Sequence, residues 1–145
     1  MEVCTIGFTQ KTAEQFFTLL RRAGIRQLLD VRLNNVSQLA GFTKREDLRF
    51  FLREICGADY RHEPLLAPTQ EILDTYKKSK GPWLDYEKKF LALMTGRKIE
   101  DRIDRTLFSV PTALLCSEPT AEHCHRRLVL EYLRDKWGDL EIIHL

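Results

Sequence analysis

The residues best suited to chemistry lie close together near the end of the chain. An apolar run, Thr112-Ala-Leu-Leu, stops at Cys116-Ser-Glu118-Pro119. Within a few residues come His123, Cys124, His125, Arg126 and Arg127. Cys116 falls at a strand end and Cys124 near a helix N-terminus; the second setting favours thiolate, and either thiol could act as a nucleophile. Glu118 or His125 can move protons for it. Arg126 and Arg127 fall in the first turns of a helix, where the macrodipole disfavours cations. Such a conflict with a local rule marks either an anion pocket or an internal ion pair, with Asp30 or Glu118 as partner. The residues leave both open. A metal site from Cys116, Cys124 and a histidine is a further alternative. The seven residues between the thiols are not a usual ligand spacing. A disulfide between them is disfavoured in a reducing compartment. Cys4 and Cys56 read as core.

These groups need elements to hold them. Val3 to Phe8 reads as a strand, and Thr12 with Gln15 as a capping box for the helix that follows. Gln27 to Val31 is a second strand, and Leu33 to Gly41 a loop rich in turn-formers. Thr43 with Glu46 suggests a second capping box, before a helix ended by Gly57. Asp59 to Glu63 is a weak third strand. Thr69 caps a short helix. A longer one follows Pro82, with Gly96 as a candidate interruption. Val110 to Cys116 is the most apolar strand. A helix is expected from about Ala121 to Trp137, then a strand over 140–145.

Strands alternating with helices imply right-handed crossovers and a mainly parallel sheet. In such sheets ligands bind beyond the carboxyl ends of the strands. Gly7, Asp30 to Arg32, His62 and Cys116 to Glu118 all fall at those ends. Gly7 would let a ligand or backbone approach closely. Asp30 and Arg32 point to the same side, as a substrate clamp or a brace. His62 reads as satisfied by hydrogen bonds, Trp83 and Tyr86 as core, and Lys77, Lys78 and Lys80 as a solvated helix end.

A length of 145 residues fits one domain, 1–145. The net charge of +2 makes no case for a nucleic-acid or membrane partner. No apolar run approaches the ~20 residues of a membrane span. Met-Glu-Val-Cys does not begin a signal peptide. A cytoplasmic location with reduced thiols is therefore the expectation.

Several short segments occur in a familiar order: Thr5-Ile6-Gly7, Asp30-Val31-Arg32, Gly41-Phe42-Thr43-Lys44, Leu66-Ala67-Pro68-Thr69, Glu71-Ile72-Leu73, Trp83 and Tyr86, Leu114-Leu115-Cys116-x-Glu118, and Cys124-His125-Arg126. In this the chain resembles the DUF488 family of bacteria and archaea, over nearly its whole length. Cys-x-Glu followed by Cys-His-Arg is the most specific mark. It is most similar to members with Asp-Val-Arg-Leu-Asn-Asn, here Asp30 to Asn35. The resemblance implies a compact α/β domain of about this length. It brings no established activity and no catalytic roles. Asp30-Val31-Arg32 at a strand end also resembles rhodanese and phosphatase-like folds, which use a cysteine loop with an arginine soon after the thiol, but Arg126 comes ten positions after Cys116 and two after Cys124, so neither loop is reproduced.

The expectation is a three-layer α/β/α domain with a mainly parallel sheet of about five strands. Its site would bind a small anionic or nucleotide-like ligand, or act on one as an enzyme, at the carboxyl edge of the sheet. Cys116, Glu118, Cys124 and His125 would carry chemistry. Gly7, Asp30, Arg32 and Arg126 would bind the ligand. The cofactor and the oligomeric state are left unassigned. The alternatives are a nucleic-acid-associated or protein-interaction module with a structural polar cluster, and a Cys/His metal site.

Overall fold

The apolar run Val3-Cys4-Thr5-Ile6, buried at every position, builds the first strand, β1 (Glu2–Gly7). The computed structural model describes residues 1–36 and 41–145. Helix α1 (Ala13–Arg22) opens with the expected capping box. Gln15 N donates to Thr12 Oγ1, and Thr12 N donates to Gln15 Oε1. Strand β2 (Gln27–Asp30) follows. The expected loop after it falls partly on residues 37–40, outside the described residues.

Helix α2 (Arg45–Phe51) runs into a π-helical turn, Leu52–Cys56. Its start differs from the expectation. Lys44 is the N-cap and gives no side-chain hydrogen bond, so Thr43 and Glu46 do not form a capping box. The reason lies in the preceding 3₁₀ turn, Gly41–Thr43, whose last carbonyl accepts from Arg32 Nη2 at 2.7 Å.

The chain continues through β3 (Asp59–His62), α3 (Gln70–Lys77), α4 (Trp83–Arg97) and α5 (Ile99–Arg102). Thr69 caps α3, its hydroxyl accepting from Ile72 N. Gly96 does not interrupt α4; Lys98 ends it, at φ +52°. One glycine costs a helix only ~1 kcal/mol, and α4 offsets it by burying Tyr86, Phe90 and Met94. Strand β4 (Thr112–Cys116), helix α6 (His125–Trp137) and β5 (Glu141–His144) complete the fold. Helix α6 begins at His125 rather than near Ala121, because residues 117–124 turn back over the end of β4 first.

The five strands form one sheet in the order β3-β2-β4-β1-β5, and every ladder is parallel. Side-chain alternation sends Val3, Leu29, Leu114 and Cys116 to one face, against α4, α5 and α6. Cys4, Ile6, Leu28, Ala113 and Leu115 go to the other, against α1 and α2. Both faces are covered, as a parallel sheet requires. At the carboxyl edge Gly7 lies opposite Cys116, and Asp30 lies between His62 and Leu115. Among the described residues no helix is long and apolar enough to cross a membrane.

Candidate active site

Cys116 is the last residue of β4, on the face that α6 covers. Its Sγ lies 3.5 Å from Nδ1 of His125, the first residue of α6. His125 Nε2 lies 2.7 Å from the Val31 carbonyl. A carbonyl can only accept, so Nε2 carries the hydrogen and Nδ1 faces the thiol. The arrangement is thiol, imidazole and an orienting acceptor, in that order, which is the geometry of an activated nucleophile.

The surroundings favour the thiolate. The Cys124 thiol hydrogen-bonds the charged sulfur, and this outweighs the cost of burial. The Arg126 charge and the N–H groups of Ser117 and Glu118 act in the same direction, and Cys116 is held below the ordinary thiol pKa. Cys124 goes the other way. Burial first, then the neighbouring Cys116, push it well above the ordinary value. The two adjacent thiols are thereby pushed in opposite directions, Cys116 down and Cys124 up.

A cavity of about 240 Å³ opens onto this pair. Cys116, Cys124 and His125 line it together with Phe8, Arg32, Tyr76, Lys77, Trp83, Tyr86, Glu118 and His123. Its aromatic wall is continuous. Trp83 stacks on Tyr86 with centroids 5.0 Å apart, and His123 stacks on Trp83 at 4.9 Å. Tyr76 packs against both Trp83 and Tyr86. At the rim Lys77 and Glu118 form an ion pair between α3 and the loop after β4. Burial disfavours the charge on Lys77, but the Glu118 carboxylate more than offsets it and raises the lysine pKa.

Arg126 has neither of the carboxylate partners considered for it. It is 1% exposed, and its Nη1 donates to the Glu118 carbonyl at 2.8 Å. Its Nε is buried with no partner. Among the described residues no carboxylate forms an ion pair with it. Its charge acts instead on Cys116. Lys11 and His144 also register it. Burial, then repulsion from Arg126, holds both below their ordinary values.

The family model for DUF488, a domain of unknown function, matches residues 12–133. The chain belongs to the DUF488 family. No curated protein and no solved structure matches it.

Of the residues singled out in this DUF488 domain, Arg32, Cys116, Glu118, Cys124 and His125 meet at the cavity. Gly7, Asp30 and Arg126 do not line it. Asp30 is fully buried and accepts from Arg32 Nε, Arg32 Nη2, Arg32 N and Tyr60 Oη. The Asp30–Arg32 pair is thus a brace, which also presents Arg32 to the cavity. Gly7 admits the Glu118 backbone rather than a ligand: a Cβ there would lie 1.6 Å from the Glu118 carbonyl oxygen. His62 Nε2 is 2.8 Å from the Arg32 carbonyl, a satisfied structural histidine as expected.

The aromatic wall and Lys77 were not legible as site residues. Trp83 and Tyr86 recur at helical spacing and do belong to the packed face of α4, but their rings also bound the cavity. Lys77 looks like a solvated helix end until α3 is placed over the carboxyl edge. The one sequence signal was the cluster Tyr76, Lys77, Trp83 and Tyr86, four large or charged groups within eleven residues.

Proposed function

We propose that this domain is a thiol-dependent enzyme acting on a small, flat, polar substrate of nucleobase or nucleoside size. The observation that carries the reading is the Cys116–His125 pair, oriented by the Val31 carbonyl at the floor of an aromatic-walled cavity. The volume supports a small substrate, since pockets for drug-sized ligands run to roughly 300–1,000 Å³. Trp83, Tyr86 and His123 offer stacking faces, and every nucleobase has a π-face to match them. Lys77 and Arg32 line the cavity, each paired with a carboxylate, Glu118 and Asp30, and an anionic substituent would share these cations. Cys116 would attack an electrophilic carbon of the substrate, with His125 taking the thiol proton and returning it to the leaving group. The chemistry needs a reduced thiol, which a reducing compartment such as the cytoplasm would supply.

The reactivity of Cys116 tests this directly. Site-resolved alkylation of Cys116 by iodoacetamide is expected to persist to lower pH than that of a model thiol, because its pKa is depressed. An ordinary thiol loses reactivity already below ~8.5. Cys124 is expected to stay unmodified over the same range. A Cys116 profile that follows a model thiol would remove the nucleophile from the reading. With a substrate in hand, His125→Ala is expected to lower kcat by ~10²–10⁴-fold, the usual contribution of a positioned base.

The aromatic wall gives a second test. Trp137 packs against Phe108 and does not line the cavity, so Trp83 reports the site. Titration with a panel of nucleosides and mononucleotides is expected to quench Trp83 fluorescence. Trp83→Ala is expected to weaken binding by ~1–3 kcal/mol, the usual loss on removing one stacking ring. Quenching that survives this substitution would point away from the cavity.

One observation favours a second reading. Donor atoms of Cys116, Cys124 and His125 all lie within 4.8 Å of one another. The fold thereby overcomes the unfavourable spacing in the sequence, and three such ligands with an open fourth position suit zinc. Stoichiometric zinc in protein purified without chelators would favour the metal.

A further inference from the structure

The nucleophile reading uses Cys116 and leaves Cys124 with nothing to attack, although the two sulfurs lie within 4.8 Å at the same cavity. We infer that Cys116 and Cys124 join in a reversible disulfide when a small hydroperoxide enters the cavity, so that the site carries its own oxidative off-switch. This deepens the nucleophile reading and rests on it for the reactivity of Cys116.

The geometry supports the pairing in three ways. The partners are local, because Cys4 belongs to the opposite face of the sheet and Cys56 donates to the Phe17 carbonyl on that same side. Access is selective, because Cys116 is 5% exposed and Cys124 2%, so only a small oxidant that fits the cavity can reach them. Closure is mechanically cheap. Sulfur atoms must approach to about 2.05 Å. Cys124 is the N-cap of α6, with extended backbone at φ −139°, and follows an irregular segment. It can move without unwinding the helix.

The Cys116 thiolate attacks one peroxide oxygen. An S–O bond forms and the O–O bond breaks. The other oxygen leaves as hydroxide or alkoxide and takes up the proton that the thiol had given to His125. Cys116 is now a sulfenic acid, oxidised by two electrons, and the peroxide is reduced by two. Cys124 sulfur then attacks Cys116 sulfur. The S–S bond forms, the S–O bond breaks, and hydroxide leaves as water with the Cys124 proton. A thiol reductant reverses the step by exchange. Without Cys124, the sulfenic acid is exposed to irreversible oxidation to sulfinic acid.

The experiment uses the full chain, purified reduced, with a stoichiometric amount of hydrogen peroxide and non-reducing peptide mapping. The expected product is one intramolecular Cys116–Cys124 disulfide, reversed by dithiothreitol. Cys124→Ser is expected to stop at a Cys116 sulfenic acid that dimedone traps. Cys116→Ser is expected to leave Cys124 a free thiol. Thermal melts confirm that both variants fold. Cys116 sulfinic acid without a disulfide in the wild type overturns the inference, as does pairing with Cys4, Cys56 or a second chain. So does zinc held by both thiols. The two readings fail differently. Rapid alkylation of Cys116 with no disulfide sinks the switch and spares the nucleophile. A disulfide together with full turnover by Cys116→Ser sinks the nucleophile as a catalyst and spares the switch. A Cys116 inert to both reagents sinks both.

Discussion

Gly7→Ala is expected to destabilise the domain by ~3 kcal/mol, toward the upper end of the range for overpacked sites. The cause is backbone against backbone. The added carbon would lie 1.6 Å from the Glu118 carbonyl oxygen, 2.8 Å from its carbon and 3.0 Å from Arg126 Nη1. A flexible side chain could swing away from such a contact, but a peptide carbonyl held by Arg126 cannot. Relief therefore moves either β1 or the loop after β4. The loop is the softer of the two, since β1 is locked between β4 and β5. The same loop aims the Ser117 and Glu118 N–H groups at Cys116. The variant is expected to lose thermal stability and also to slow Cys116 alkylation at neutral pH. A shift of about 3 kcal/mol corresponds to a Tm drop on the order of 10 °C at this size. A Gly7→Ala protein melting within a degree or two of the wild type would show that the contact yields freely.

Asp30→Asn is expected to cost ~3–5 kcal/mol, because it strands a buried guanidinium. Asp30 is completely buried and accepts four hydrogen bonds, three of them from Arg32 and one from Tyr60. The amide keeps the shape but removes the charge, and its NH₂ group meets donors where an acceptor stood. Tyr60 records the same field: burial, then its bond to Asp30, pushes its hydroxyl pKa above the usual range. Denaturant unfolding of Asp30→Asn, Arg32→Met and the double variant gives the coupling energy. The double variant is expected to be more stable than Asp30→Asn alone, since an apolar replacement leaves no orphaned charge. If Asp30→Asn loses less than ~1 kcal/mol, the pair is not the brace described here. The effect also extends to the cavity. Val31, whose carbonyl orients His125, sits between Asp30 and Arg32, so loosening the brace loosens the imidazole.

Much of the fold was legible because local and global preferences agree. The short apolar run Val3 to Phe8, the Thr12–Gln15 box and the stops at Gly24, Gly57 and Gly138 each act through neighbouring residues only. The convergence of strand ends followed from the parallel topology, and it brought Arg32, Cys116 and His125 together. What escaped depends on contacts between distant segments. The partner of Arg126 proved to be a backbone carbonyl, and a sequence can suggest ion pairs only between side chains. The start of α6 was misjudged because residues 117–124 close over Cys116 instead of beginning a helix. The aromatic wall needed α3 and α4 in place. In a sequence, a ring that bounds a cavity looks the same as a ring that fills a core.

The strand order has a consequence for how the domain is assembled. β1 and β2 share no ladder; β4 is hydrogen-bonded to both and joins them. β4 lies some fifty residues beyond the next strand before it, β3, so this central place is filled late in the chain. Until it is filled, β1 and β2 face an open slot with unpaired edges. Cys116 is the last residue of the strand that fills the slot. A partly synthesised chain thus lacks the Cys116–His125 contact, which forms in the same event that seals the sheet.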